Sequence, residues 1–103
     1  MSELIPIRKI AENFKLPEQR HPVVHYLKCR VLFYQDIVSG LKTFEIRQND
    51  RNYQVGDILM LREWDDRVDM GPAFFTGREV QRLVVYMTDF QQCPGWVVLG
   101  ITR

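Results

Sequence analysis

The residues best suited to chemistry lie in "SGLKTFEIRQNDRNYQVGDILMLREW", positions 39–64. Lys42, Glu45, Arg47 and Glu63 put two cations and two carboxylates within one short run. A lysine can anchor an anion or act as a base, and an arginine grips a phosphate or carboxylate through its planar fork. A carboxylate can serve as acid or base when its surroundings shift its ionisation. In an extended "KTFEIR", Thr43, Glu45 and Arg47 project to one side, spaced about 7 Å apart. Lys42 stands just before them, at the end of an expected helix where a cation is favoured. Glu63 ends the following strand, with Trp64 beside it on the other face. If those two strands pair, Lys42, Glu45, Arg47 and Glu63 form one acid–base cluster. From spacing alone, cross-strand ion pairing on a solvated face explains the pattern better than a pocket does.

Other groups carry weaker signals. His21 and His25 flank a strand four residues apart and so share a face, but no third ligand lies nearby for a metal. "TGR", residues 76–78, makes a cationic corner in which Arg78 would hold a phosphate; a plain hairpin corner accounts for it equally well. Trp64, Phe74, Phe75 and Trp96 offer stacking surfaces for a base, although most aromatics in so short a chain belong to its core. There is no P-loop, no G-x-S-x-G and no H-E-x-x-H. Cys29 and Cys93 lie far apart without C-x-x-C spacing, which suits free thiols in a reducing compartment. No cofactor is implied.

The elements that must position these residues follow from periodicity. Residues 1–20 form an N-terminal arm or short helix, with Ile7, Ile10 and Phe14 on one stripe, Pro6 at its start and Pro17 beyond its end. "HPVVHYLKCR" reads as a first strand. "VLFYQDIVSG" has helical character, with Leu32 or Phe33, Ile37 and Val38 as its apolar face and Gly40 just past its end. "KTFEIR" alternates with period two, which sends Phe44 and Ile46 inward and the polar residues outward or into a pocket. "DILMLREW", "FTGREVQRLVVYM" and "WVVLGIT" supply three more strands. Residues 65–74 form a long hairpin loop. Adjacent strands of this kind are expected to be antiparallel.

One domain is all that 103 residues favour, here residues 21–103 after the arm. Hydrophobic residues at 46% and charged residues at 26% describe an ordinary globular chain. The formal net charge of +1 excludes a globally basic nucleic-acid-binding surface, so any such contact needs a local patch. No apolar run reaches the ~18–20 residues of a membrane span, and the first ten residues carry acid and base where a signal peptide wants an apolar run. The expectation is a cytoplasmic protein with no membrane partner.

The string "SGLKTFEIR" resembles the G-x-K-x-x-x-x-R signature of ASCH domains, within the PUA-like superfamily. The longer pattern "KTFEIRQNDRNYQVGDILMLREW…TGREV…VVLGI", from about His25 to Ile101, is similar to a small ASCH-related family of bacteria and phages of unknown function. The resemblance implies an α+β fold: a small five- to six-stranded, mostly antiparallel β-barrel with one or two flanking helices beside a cleft. It implies Lys42 and Arg47 as cleft residues, the first as base or anion anchor. It also implies RNA or a modified nucleoside as the class of ligand. Two departures separate this chain from the ASCH amidohydrolases. The position three after the signature lysine, a threonine nucleophile there, is Glu45 here. The helical insertion carrying their catalytic glutamate is replaced by "TDFQQCPG".

Three readings follow. The favoured one is a binding module for RNA or a nucleotide, with Lys42, Thr43, Glu45, Arg47, Trp64 and Arg78 as ligand-binding residues. The second is a hydrolase of RNA or a modified nucleoside, using Lys42 with Glu45 or Glu63. The third is a phage or host protein-interaction scaffold.

Overall fold

A computed structural model describes residues 21–103. The expected N-terminal helix lies outside the described residues. Five strands and one α-helix follow: β1 (Val24–Arg30), α1 (Val31–Val38), β2 (Phe44–Gln48), β3 (Ile58–Asp65), β4 (Phe74–Thr88) and β5 (Trp96–Ile101), with a 3-10 turn at Val68–Met70 between β3 and β4. The strands form one open mixed sheet in the order β1-β3-β4-β5-β2. β4 is the spine. Its first part pairs antiparallel with β3 and its last part antiparallel with β5, the register shifting within both ladders.

β1 shows how alternation becomes burial. His25, Leu27 and Cys29 point inward while Val24, Tyr26, Lys28 and Arg30 point out. The chain passes directly into α1, whose buried stripe is Val31, Tyr34 and Ile37. Leu32, Phe33 and Val38, expected on the buried face, are instead exposed. Two turns leave room for a single stripe, and starting at Val31 it selects every third residue. Gly40 then reverses the chain with φ +82, a backbone conformation that costs a side chain dearly. A Cβ there would also stand 3.0 Å from the Arg103 guanidinium. The turn is closed by N–H bonds from Gly40 to Ile37 O and from Lys42 to Asp36 O, at 3.0 and 2.9 Å.

Strand neighbours depart from chain order in two places. β1 pairs parallel with β3, in register from Val24↔Ile58 to Arg30↔Trp64. β2 does not pair with β3; it lies antiparallel to β5 at the opposite end of the sheet. That register places Glu45 opposite Leu99 and Arg47 opposite Val97, on the face that carries the core. Phe44 and Ile46 therefore face outward, 42% and 51% exposed, and Glu45 is the buried member of the strand. The alternation is the one the sequence shows, with its inside and outside exchanged. A one-residue difference in register has this effect on every side chain of a strand.

Among the described residues the sheet does not close into a barrel by strand pairing, and β1 and β2 are its two edges. Side chains reach across between them. Arg47, on β2, donates from Nη2 to the Lys28 carbonyl of β1 at 2.7 Å, and Arg51, in the loop after β2, donates to the Tyr26 carbonyl at 3.0 Å. Alternate carbonyls along the outer edge of β1 are satisfied in this way, which blunts an edge that would otherwise invite pairing. Leu27, Tyr34, Ile37, Tyr53, Leu59 and Leu99 are among the residues forming the core below the gap.

Candidate cleft between the sheet edges

The gap between β1 and β2 is a cleft of about 530 Å³, within the range of small-molecule sites. Glu45 sits in it as a buried anion between two cations. Lys42 donates from Nζ to Glu45 Oε1 at 2.7 Å and to the Phe44 carbonyl at 2.8 Å. Arg47 donates from Nε and Nη2 to Glu45 Oε2 at 2.9 and 2.7 Å. Lys42 also lies between two rings, its Nζ 5.1 Å from the Phe33 centroid and 4.8 Å from that of Phe44. An ammonium has three donors, and two of those of Lys42 are engaged among the described residues.

The charge balance of the cleft differs from that of the chain. Five cationic residues line it (Lys28, Arg30, Lys42, Arg47, Arg51) against two acidic ones (Glu45, Asp50), whereas the whole chain carries +1. Phe33, Phe44 and Trp96 supply aromatic walls. Cys29 is buried beneath, and burial, reinforced by the Glu45 carboxylate, pushes its thiol up to about 12. It is a packing residue, not a nucleophile.

The other expected site residues form a separate group. Glu63 is buried opposite Cys29 in the β1–β3 register and does not line the cleft. Thr76 Oγ1 donates to Glu63 Oε1 at 2.6 Å; Arg78 donates from Nε to Oε1 at 2.9 Å and from Nη2 to Oε2 at 2.7 Å. The "TGR" corner is thus a clamp on a carboxylate of its own chain. Between Arg62↔Glu79 and Trp64↔Phe75 the β3–β4 register shifts, so that Thr76 and Arg78 both reach Glu63 around Gly77 at φ +95. Arg78 continues to the Tyr34 ring, 5.3 Å from its centroid. The single cluster of Lys42, Glu45, Arg47 and Glu63 does not form, because β2 and β3 are not neighbours. Thr43 is exposed, and its carbonyl accepts from the Ile101 amide at 3.0 Å. Trp64 points to the outer face of β3, away from Glu63.

The partners of Glu63 favour its charged form. The hydrogen bonds from Arg78, helped by Thr76, hold its carboxyl below the ordinary value of 4.5 despite burial. A depressed folded value contributes stability that is full above the unfolded pKa and is lost as pH falls through the folded one. Arg78→Ala removes the cation and leaves the buried carboxylate with the Thr76 hydroxyl, so that burial dominates and acts in the opposite direction. The melting temperature of Arg78→Ala should therefore fall furthest below wild type near about pH 7, and the gap should narrow below about pH 4 as Glu63 protonates. Thermal melts of both proteins across that range check it; a constant gap would mean that Arg78 does not set the ionisation of Glu63.

His25 is buried against Asp57, Nε2 to Oδ2 at 2.8 Å, and edge-on to the Tyr53 ring, while His21 is exposed. The two do not share a site. No group of three or more metal-ligating side chains occurs among the described residues, and no helix among them is long and apolar enough to cross a membrane. Arg51, Lys28 and Phe33 join the cleft without having been legible in the sequence. Arg51 lies in an aperiodic loop, and Lys28 and Phe33 become neighbours only through the turn from β1 into α1.

Residues 24–101 match a family model described as a domain of unknown function, DUF3850. An uncharacterized 12.9 kDa protein in the GpA 3' region of Escherichia phage P2 is 36% identical over 66 residues, which make up 64% of this chain. The matched stretch spans about half of that relative's length, 55%.

Proposed function

For a chain that belongs to the DUF3850 family, to which no function is assigned, we propose a binding module that takes RNA or a nucleotide in the cleft between β1 and β2. The observation that carries this reading is a cleft with five cationic and two acidic lining residues, walled by Phe33, Phe44 and Trp96, on a chain of net charge +1. Concentrated positive charge beside aromatic walls matches a ligand that joins an anionic group to a flat ring. The volume suits one nucleotide and not a duplex, whose affinity needs many phosphate contacts. The Lys42 and Arg47 positions are those that the ASCH resemblance of "SGLKTFEIR" implies as cleft residues, and a PUA-like relationship is part of the proposal. Lys42 and Arg47 anchor the anion, turning to it donors that otherwise engage Glu45.

The contact between Lys42 Nζ and Glu45 Oε1 favours a second reading, a hydrolase of RNA or a modified nucleoside in which this pair moves a proton. Glu63 has no part in it, being clamped by Arg78 outside the cleft.

The test is a thermal-shift panel of nucleosides, nucleotides and short RNA oligomers against wild type and Lys42→Ala. A ligand at about ten times its Kd should raise the melting temperature of wild type by roughly 5–10 °C and leave Lys42→Ala unshifted. No shift across the panel would sink the binding reading. Weight would then move to protein contact through the outward apolar residues Phe44, Ile46 and Tyr86.

A further inference from the structure

The outer face of β1–β3–β4 carries a second group of cations and rings that the cleft does not use. Two rows of the sheet register on this face hold it, Lys28↔Arg62↔Glu79 and Arg30↔Trp64↔Phe75, with the inward Cys29↔Glu63 row between them. Trp64 and Phe75 meet edge to face, their ring centroids 4.7 Å apart. Lys28 Nζ lies 4.1 Å from the Trp64 centroid, and the Arg62 guanidinium lies 4.4 Å from that of Phe75. Phe75 is 40% exposed, so its ring is open at this end of the hairpin. Lys28 and Arg30 also line the cleft, so the two surfaces share the edge of β1.

Charge separates this face from an ordinary apolar patch. Arg30 is paired with Asp66 at 2.9 Å, and Arg62 reaches Glu79 only at 3.9 Å. Lys28 forms no ion pair among the described residues. A partner protein would meet exposed cations that need acidic counterparts. A single strand of RNA brings a phosphate and a ring at every step, and bases stack on guanidinium planes as readily as on aromatic rings.

We propose that RNA held in the cleft continues across β1 onto this face, where Lys28 meets the intervening phosphate and the Arg62–Phe75 stack with Trp64 receives the next base. The inference rests on the cleft reading and adds a second subsite to it. Adjacent strands stand about 5 Å apart, so the path from the cleft over β1 to β3 suits a di- or trinucleotide.

The experiment compares adenosine 5′-monophosphate with a 5′-phosphorylated adenosine trinucleotide by calorimetric titration of the full chain. The proteins are wild type, Phe75→Ser and Arg62→Gln, each checked first for an unchanged melting transition. Wild type should bind the trinucleotide at least about tenfold more tightly than the mononucleotide, as one stacked base provides. Phe75→Ser, which keeps every charge, should lose most of that gain while binding the mononucleotide within about twofold of wild type. Arg62→Gln should lose the gain and also flatten the salt dependence of trinucleotide binding. Equal affinity of wild type for the two probes, or a gain that survives in Phe75→Ser, overturns the second subsite and leaves the cleft reading standing. A trinucleotide that binds through Phe75 while the mononucleotide does not bind overturns the cleft reading and the continuous path with it, leaving a base site on the outer face only. Binding of neither probe overturns both.

Discussion

Asp57→Ala should cost about 3–5 kcal/mol of folding stability and lower the melting temperature by roughly 15–25 °C. Asp57 is fully buried at the start of β3. Its Oδ1 accepts from the Val23 amide at 3.1 Å, and its Oδ2 accepts from the Gln54 amide at 3.0 Å and lies 2.8 Å from His25 Nε2. Among the described residues this carboxylate joins the entry to β1, the loop after β2, and the first inward side chain of β1. Hydrogen bonds to a buried charge contribute about 1.5–3 kcal/mol each but do not add when they share an acceptor. Removing the carboxylate leaves a buried imidazole and two part-buried amides without this partner. The loop from 49 to 57 carries Arg51 and Tyr53, both lining the cleft, so nucleotide affinity should fall with stability. Asp57→Asn keeps one acceptor oxygen and should retain part of both. Urea denaturation of the three proteins measures the first effect. A loss under about 1 kcal/mol in Asp57→Ala would mean that the loop is held by other contacts.

How far the sequence discloses this arrangement depends on the range of the interaction. The five strands and α1 were legible because alternation in "HPVVHYLKCR" and "KTFEIR" and the glycine after "VLFYQDIVS" are local signals, set by backbone geometry within a few residues. The assignment of inside and outside on β2 was not. Apolar residues at Phe44 and Ile46 argue for inward placement only if the polar alternates have no interior partner. Glu45 has two, Lys42 and Arg47, and their contacts depend on how the turn after Gly40 sets β2 beside β5. The pairing order was equally beyond local reading, since β1 with β3 and β2 with β5 skip intervening elements. "TGR" illustrates a third case: its glycine was visible, but the carboxylate that its neighbours grip lies 13 and 15 residues away. Lys42 and Arg47, picked out by residue type and spacing and again by the resemblance, line the cleft; Glu63 and Arg78, gathered into the same site, stand outside it.

Glu45→Gln should separate stability from affinity, lowering the first while sparing or improving the second. Glu45 is 4% exposed, with Lys42 and Arg47 both held on its oxygens and both largely covered. A carboxamide offers one acceptor and one donor where two cations require acceptors, so one of them loses its partner. The expected loss of stability is about 2–4 kcal/mol. The same change removes a negative charge from the cleft and releases donors toward whatever anion enters. Attraction between a phosphate and these cations then meets less internal competition, and nucleotide affinity should hold or tighten by up to about tenfold. Denaturation and calorimetric titration on the same preparation measure both quantities. If the Lys42–Glu45 pair instead performs chemistry, binding persists in Glu45→Gln while turnover of the bound nucleotide or RNA vanishes. A weakening of affinity by more than about tenfold, with the fold intact, would mean that Glu45 itself accepts a hydrogen bond from the ligand. The cleft would then be reading a donor group on its occupant, with Lys42 and Arg47 serving to hold the carboxylate and not to bind a phosphate.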